Sequence, residues 1–220
     1  EVIVVSASET DTAGNVGTSN LSLNAIDTTT PSALAITTAD ATSNNLSQTI
    51  SGTGEVGSTI TVYDGATVVG TAVVNANGNW ATAVTLSGQG QHTLTATSTD
   101  AAGNTTASTA NGTATSQDVV ITIDTTAPVV NLVRVADGQN SLYDSGFTAT
   151  TSATVTITVD GVALTGSALA NAFTISAPAN GVVTYTANAG AFTGGEVIVV
   201  SASETDTAGN VGTSNLSLNA

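Results

Sequence analysis

Residues 154–161 have the sequence Thr-Val-Thr-Ile-Thr-Val-Asp-Gly, in which polar and apolar side chains alternate until the chain reaches an Asp-Gly pair. Alternation with a period of two places Val155, Ile157 and Val159 on one face of a β-strand and the threonines on the other. Asp-Gly is typical of a two-residue turn between antiparallel strands. The stretch therefore predicts a strand that is buried on one face and ends in a hairpin turn.

The same pattern recurs along the whole chain of 220 residues. Alternating runs also occupy residues 60–63, 92–97 and 183–186, and no long helical periodicity appears. Many short strands joined by regular turns predict an all-β chain of tandem immunoglobulin-like antiparallel β-sandwiches arranged end to end. Further turn pairs punctuate the runs at Asp64-Gly65, Asn77-Gly78, Gly103-Asn104, Asn180-Gly181 and Gly209-Asn210.

Residues 196–220 repeat residues 1–25 letter for letter. Because a strand tolerates many sequences, this identity points to duplicated DNA and to a tandem array whose unit is 195 residues long. Residues 1–25 are then expected to be the last two strands of a preceding sandwich. Their unpaired edges are expected to be frayed, swapped or paired with another molecule.

Two similar linkers divide the remainder of the chain. Residues 26–31 and 123–128 share an Ile-Asp-Thr-Thr-x-Pro pattern, and each proline fits a junction better than a strand interior. The spacing of about 97 residues suits one seven-stranded sandwich. The sequence therefore predicts a partial module at 1–25, a complete sandwich at 26–124 and another at 125–220.

The charge of the chain is strongly unbalanced, with one Arg, no Lys, 16 acidic residues and a formal net charge of −15. Nucleic-acid binding is excluded because a single Arg cannot displace phosphate counterions against a net charge of −15. Anionic lipid is an equally poor partner, and no apolar run approaches the length needed for membrane insertion. Disulfides are impossible without cysteine, so the carboxylates predict cross-linking by Ca²⁺, which prefers oxygen ligands.

The carboxylates recur at matching positions around the linkers. The spacing from Asp27 to Asp40 equals that from Asp124 to Asp137, and three Asp-x-Ala-Gly-Asn turns occur in the chain. Each junction is therefore predicted to combine a turn Asp from one module, a linker Asp, and an Asp just inside the next module. The predicted calcium ligands are Asp11, Asp27, Asp40, Asp100, Asp124, Asp137, Asp206, Glu9 and Glu204.

Turn chemistry alone is the competing interpretation of these residues, because an Asp side chain stabilises such a turn by bonding to nearby backbone amides. That interpretation explains each turn, but neither the matching linker Asp residues nor the unbalanced charge. Glu55, Asp64 and Asp144 are left open between calcium ligands and solvated turn residues.

Residues 51–86 have the sequence SGTGEVGSTITVYDGATVVGTAVVNANGNWATAVTL. With TATSTDAAGNTT at 95–106 and DTTAP at 124–128, they resemble the bacterial immunoglobulin-like repeats of giant surface adhesins. These adhesins include biofilm-associated proteins and the extender regions of RTX adhesins. The second module resembles them less closely, keeping mainly DTAGN and the alternating strands. The resemblance implies calcium ions that stiffen the domain junctions of a stalk, bound by Asp27, Asp100, Asp124 and their equivalents.

Catalysis is not expected, because His92 is the only histidine and no Lys or Cys is available to activate the many Ser and Thr hydroxyls. Trp80 and Tyr63 are predicted to fill the core of the first module and not to form a sugar-stacking platform. Arg134 is expected to pair with a junction carboxylate such as Asp137 or Asp144.

The predicted function is a structural stalk segment of a repetitive bacterial surface adhesin, located outside the cell and projecting an adhesive tip. Its expected partners are Ca²⁺, the neighbouring repeats of the same chain, and other copies through residues 1–25. Two alternatives stay open. One is a module that binds glycan or ice, and the other is a self-assembling extracellular filament.

Overall fold

The computed structural model describes residues 3–23, 25–32, 34–108, 118–135 and 146–219. The chain forms two compact units. The first unit contains Glu1–Ala41 and Asn45–Thr122, and the second contains Thr42–Asn44 and Ile123–Ala220. The module boundaries placed after residues 25 and 124 stay predictions.

The N-terminal part of the chain is a two-stranded hairpin that is followed by the two sheets of the first module. One sheet has the strand order β4-β11-β9-β6-β7, with β10 also paired to β9, and the other has the order β3-β5-β8. The strands are β1 (Ile3–Thr10), β2 (Val16–Leu23), β3 (Ala35–Ile36), β4 (Ala41–Ser43), β5 (Ser47–Thr53), β6 (Thr59–Asp64), β7 (Thr67–Val73), β8 (Asn79–Thr85), β9 (Gly90–Thr99), β10 (Thr105–Ala107) and β11 (Val119–Ile123).

Alternation along the strands fills the core of the first module. In β9, every second residue from His92 to Ser98 is buried, and Ile50, Trp80 and Val84 are buried in the facing sheet. Trp80 is only 3% exposed, and its indole Nε1 donates a hydrogen bond to the carbonyl of Thr53. Burial of the indole confirms its predicted place in the core.

The second unit has two four-stranded sheets, of order β12-β13-β17-β16 and β15-β14-β18-β19. A seven-residue helix, α1 (Gly166–Ala172), lies between β15 and β16, and the alternation pattern did not predict it. The strands are β12 (Leu132–Val135), β13 (Gly146–Thr150), β14 (Thr154–Val159), β15 (Val162–Ala163), β16 (Phe173–Ile175), β17 (Val182–Ala187), β18 (Val197–Thr205) and β19 (Val211–Asn219).

Aromatic side chains form the centre of the second core. The rings of Phe147 and Tyr185 are stacked with centroids 4.5 Å apart, and Phe173 meets Phe147 edge-on at 5.9 Å. Apolar residues of the facing sheet, including Ile157 and Val200, belong to the same buried cluster. Because the cluster draws residues from both sheets, the unit is a sandwich. The predicted all-β, immunoglobulin-like fold class is confirmed.

Two of the predicted hairpin turns show why their residue types are needed. Asp160 and Gly161 have φ values of +50° and +79°, and Asn180 and Gly181 have +52° and +78°. Positive φ at both central residues is the geometry of a type I′ turn, which suits Asp-Gly and Asn-Gly pairs. The four alternating runs identified in the sequence also lie within strands β6, β9, β14 and β17.

The duplicated sequence folds into the same hairpin twice, but in two different environments. Ile3 pairs with Leu23 in β1–β2, and the equivalent Ile198 pairs with Leu218 in β18–β19. Every residue of β1 and β2 is exposed. Ile3 is 40% exposed, whereas Ile198 is 4% exposed because β18 also pairs with β14 and packs on the second core.

This contrast makes a matched pair of substitutions informative. Ile198→Ala is expected to reduce the free energy of unfolding of the second unit by about 2–5 kcal/mol, because it leaves a cavity in a packed core. Ile3→Ala, in the same local sequence, is expected to change stability by about 0.5 kcal/mol or less. Hydrogen exchange of the β13 and β14 amides measures both effects, and equal effects would contradict the burial difference.

Candidate functional site

The three Asp-x-Ala-Gly-Asn turns share one hydrogen-bonded geometry. In the first, Oδ1 of Asp11 accepts from the backbone amides of Ala13 and Asn15, both at 2.9 Å. Its Oδ2 accepts from Nδ2 of Asn15 at 2.8 Å. The turns that begin at Asp100 and Asp206 repeat all three bonds within 2.8–2.9 Å. The motif therefore fixes the turn locally, whatever surrounds it.

These bonds also act on the charge of the turn carboxylates. The side-chain amide of the Asn four residues later is the largest influence, and it lowers the pKa of Asp11, Asp100 and Asp206 below the ordinary value of 3.8. Amide hydrogen bonds favour the ionised form of a carboxyl group. Each turn thus presents a full negative charge well below neutral pH.

The same Asn side chain reaches from the turn to the linker at the start of its own module. Nδ2 of Asn104 donates to the backbone carbonyl of Asp27 at 3.2 Å, and Nδ2 of Asn210 donates to that of Asp124 at 2.8 Å. The linker carboxylates accept in turn from the amide two residues later. In both modules, therefore, a linker Asp and a turn Asp are joined through one Asn.

These hydrogen bonds join each linker Asp to a turn of its own module. Asp27 is joined to the turn at Asp100, and Asp124 to the turn at Asp206. The reason is topological. The second strand of the hairpin that carries the turn, β10 in the first module and β19 in the second, returns beside the linker that begins the module. The predicted combination of each linker Asp with the turn that precedes it in the chain, Asp11 with Asp27 and Asp100 with Asp124, stays a prediction.

Asp40, Glu9 and Glu204 are the remaining predicted ligands that the structure describes. Oδ1 of Asp40 accepts from the amide of Val120 in β11 at 2.8 Å, so the carboxylate serves the last strand of the first module. Glu9 and Glu204 each lie two residues before a turn Asp, and Glu9 is exposed while Glu204 is half-buried. Ser98 holds the same position before the second turn and is fully buried. Asp137 and Asp144 lie outside the described residues.

Other acidic and polar residues also have structural partners. Nδ1 of His92 lies 2.6 Å from Oδ2 of Asp64, and Glu55 accepts from the amide of Ser32. Arg134 donates to the carbonyl of Ser217 at 2.6 Å. These contacts favour structural roles for Asp64 and Glu55, the two described residues that the sequence left open.

A pocket of about 210 Å³ in the second unit is lined mainly by apolar residues, including Leu164 and Phe192, and also by Glu196. The Glu196 carboxylate accepts from the amide and hydroxyl of Thr193 and from the amide of Gly194. These bonds lower the pKa of Glu196 to about 2. The carboxylate therefore serves primarily to hold its own loop together.

Calcium chemistry is compatible with the donors that each module brings together. A linker Asp and a turn Asp supply carboxylate oxygens, and Asn side chains and exposed turn carbonyls supply neutral oxygens of the type calcium accepts. Within the described ranges, no group of three or more Asp, Glu or His side chains is assembled that could hold a metal ion. Two carboxylates per module are thus a partial ligand set, to which further oxygens would have to be added.

The second linker is held against β19 by a close backbone approach. A Cβ atom added to Gly212 would lie 1.9 Å from the carbonyl oxygen of Pro128. At the equivalent Gly17, the nearest atom to an added Cβ would be the carbonyl oxygen of Glu9 at 3.9 Å. The glycine two residues after the turn is therefore what lets the linker lie beside the hairpin.

Comparison with known proteins identifies the class of the first module. Residues 29–118 match the family model described as a bacterial Ig domain. The match covers less than half of the chain and confirms the predicted resemblance to bacterial immunoglobulin-like repeats. No curated protein matches the chain. Among the described residues, no helix is long and apolar enough to cross a membrane.

Several solved structures show a weak similarity to the chain. A 1.5-MDa bacterial ice-binding adhesin is 21% identical at a TM-score of 0.46, over 98% of this chain and 72% of that chain. A tetra-tandem repeat from the extending region of a large adhesion protein is 22% identical at 0.35, over 98% and 55% respectively. The BSP domain of a biofilm associated protein is 19% identical at 0.27, over 84% and 29%.

The close approach at Gly212 generates a paired stability prediction. Gly212→Ala is expected to destabilise the second unit by about 1–3 kcal/mol, because the added methyl group collides with the Pro128 backbone. Gly17→Ala, in an identical local sequence, is expected to be tolerated. Thermal unfolding of the two variants measures the difference, and equal melting temperatures would show that the linker does not pack on β19.

The turn hydrogen bonds generate a prediction about pH. Asn210→Ala is expected to raise the pKa of Asp206 towards its ordinary value, because the largest stabilising hydrogen bond to the carboxylate is lost. Since the folded pKa lies below the unfolded one, the bond stabilises the fold above about pH 4 and is lost as the pH falls through the folded pKa. Carboxyl NMR titration of the wild type and the variant measures the change, and an unshifted midpoint would contradict it.

Proposed function

We propose that this chain is part of the repetitive stalk of a bacterial surface adhesin, located outside the cell. The stalk role is supported by the 25-residue exact repeat, by two β-sandwich units in succession, and by the match of residues 29–118 to the bacterial Ig domain. An array of stable, similar modules provides length and multiplicity, which an adhesin needs to carry a binding tip away from the cell surface.

We further propose that calcium binds at the start of each module. The observation that supports this most strongly is the joining of a linker Asp to a turn Asp by one Asn side chain, in two modules of different sequence. Calcium takes 6–8 oxygen ligands, so the preceding module and water would complete the shell. A shared ion of this kind would restrict motion at the linker.

The charge of the chain gives this ion a physical role. A net charge of −15 with a single Arg makes the folded carboxylates repel one another. Extracellular modules bind calcium with dissociation constants of about 10⁻⁴–10⁻³ M. Each site that is occupied at ten times its dissociation constant adds about 1.4 kcal/mol of stability, so several sites together would have a large effect on a marginal fold.

A structural role also agrees better with the described side chains than catalysis or sugar binding does. The lone histidine is 8% exposed and bonds to Asp64, which leaves it poorly placed to act as a base on a substrate. Trp80 is buried, so its ring is not a surface platform for sugar stacking. The adhesive tip and its ligand would belong to other parts of the protein.

The test compares calcium with chelator. In about 5 mM calcium, which exceeds the dissociation constants typical of such modules, the melting temperature is expected to rise by about 5 °C or more. Small-angle scattering is expected to report a longer and stiffer particle. Unchanged melting and unchanged shape would refute the calcium proposal. A rigid, elongated particle in both conditions would leave the stalk role intact without the ion.

A pair of double variants locates the sites. Asp27→Asn with Asp124→Asn is expected to abolish most of the calcium-dependent rise in melting temperature. The substituted side chains can still accept the hydrogen bond from the backbone amide two residues later. Asp118→Asn with Asp160→Asn removes the same charge away from the linkers and is expected to keep the response. Loss of the response in both double variants would point to diffuse charge screening and not to bound ions.

A further inference from the structure

A groove of about 330 Å³ lies on one side of the first module, where an edge of each sheet is found. Strand β7 ends the larger sheet and β8 ends the smaller one, and both strands contribute to the groove. Its lining includes one carboxylate, three residues with hydroxyl groups and two valines, which are Asp64, Thr67, Thr85, Ser87, Val68 and Val69. The groove therefore combines hydrogen-bond acceptors with apolar surface.

The local sequence explains why polar side chains face the groove and not the core. Thr85 and Ser87 are exposed on either side of the buried Leu86. Successive side chains of an extended segment point to opposite faces, so the two hydroxyl groups point away from the core. Asp64 ends β6 and pairs across the hairpin turn with Thr67, the first residue but one after that turn.

One oxygen of the Asp64 carboxylate is left for a ligand. Oδ2 lies 2.6 Å from Nδ1 of His92, whereas Oδ1 has no hydrogen-bond partner among the described residues. The Asp64 side chain is only 22% exposed. A partly buried charge attracts an opposite charge more strongly than a fully exposed one, because water and salt screen it less.

His92 holds this carboxylate in place without cancelling its charge. A neutral imidazole has one donor nitrogen, and Nδ1 faces a carboxylate oxygen, which accepts. Nε2 of the same ring is buried without a hydrogen-bond partner, so a second proton there would be a buried, unpaired donor. The single Arg of the chain, Arg134, belongs to the second unit and donates to Ser217. This chain therefore supplies no Lys or Arg to the groove.

We propose that the groove binds a lysine side chain of a partner protein. The ammonium group has three N–H donors and no acceptor, and it donates to Oδ1 of Asp64 and to the hydroxyl groups of the lining. The methylene stem packs on Val68 and Val69, as long cationic side chains do on apolar surface. Val68 is 54% exposed, so this surface is available. A second copy of the chain is not the partner, because the chain has no lysine.

Other ligands match the groove less well. The planar guanidinium of arginine favours two parallel bonds to one carboxylate, and only one oxygen of Asp64 is available. Calcium takes 6–8 oxygens, and the groove offers a single carboxylate. A sugar would find no aromatic ring to stack on among the lining residues. Lysine binding here is independent of calcium binding at the linkers.

The test is an NMR titration of the full chain with the blocked amino acid Nα-acetyl-L-lysine N-methylamide. It is done at constant ionic strength in about 5 mM calcium, which exceeds the dissociation constants typical of extracellular sites. Amide shifts are expected at Val68, Val69 and Ser87, with a dissociation constant on the order of 1 mM for a single side chain. The norleucine analogue has the same stem without the ammonium group and is expected to cause no such shifts.

A matched pair of variants tests the charge. Asp64→Asn is expected to weaken lysine binding about tenfold, because the charge is lost while the new side chain can still accept from His92. Asp118→Asn removes the same charge from the same module outside the groove, and it is expected to leave the dissociation constant unchanged. Thr85→Glu adds a carboxylate at an exposed position of the lining and is expected to tighten binding about threefold.

Equal weakening by the two Asn variants would overturn the proposal, because it would indicate diffuse attraction to an acidic protein. Equal shifts with the norleucine probe would overturn it as a purely apolar contact. Tighter binding of the corresponding arginine probe would overturn the assignment to lysine. Should Asp64→Asn fail to fold, unchanged affinity in the Thr85→Glu variant would be enough to reject lysine binding at this groove.

Discussion

A hydrogen bond from an asparagine side chain to the backbone of a distant linker organises both modules. Asn104 reaches Asp27 across 77 residues, and Asn210 reaches Asp124 across 86 residues. Each bond connects the linker that begins a module to the hairpin turn that comes late in the same module. Segments far apart in the chain are thereby held side by side. The same side chain holds the turn carboxylate, and the result is a negatively charged edge at the start of each module.

The chain has almost no positively charged side chains to balance the negative charge of that edge. Sixteen acidic residues accompany one Arg, and Arg134 donates to a backbone carbonyl in β19. The described carboxylates are satisfied mainly by amide donors, which stabilise ionised oxygens without neutralising the charge of the molecule. This charge imbalance is the physical ground on which a divalent ion is proposed at the linkers.

Sequence patterns predicted the local structure well and the assembly less well. Alternation located strands such as β14, and Asp-Gly and Asn-Gly pairs located turns, because both depend on neighbouring residues. Helix α1 was missed because seven residues carry too little periodicity to stand out. The pairing of Asp27 with the turn at Asp100 was missed because it follows from strand order, which brings together residues far apart in the chain. The structural role of Gly212 was missed for a related reason. A side chain is excluded there because the backbone of Pro128, which is distant in the chain, lies against it.

The duplicated segment separates the two kinds of information. By itself, the sequence determined the hairpin, its register and the hydrogen bonds of its Asp-x-Ala-Gly-Asn turn, which are the same in residues 3–23 and 198–218. Tertiary structure alone decided burial. Val5 is 49% exposed and Val200 is fully buried, because only the second hairpin has β14 beside it and an aromatic core beneath it. Backbone pairing within a hairpin is a local property, whereas removal of apolar surface from water requires a partner that the segment does not contain.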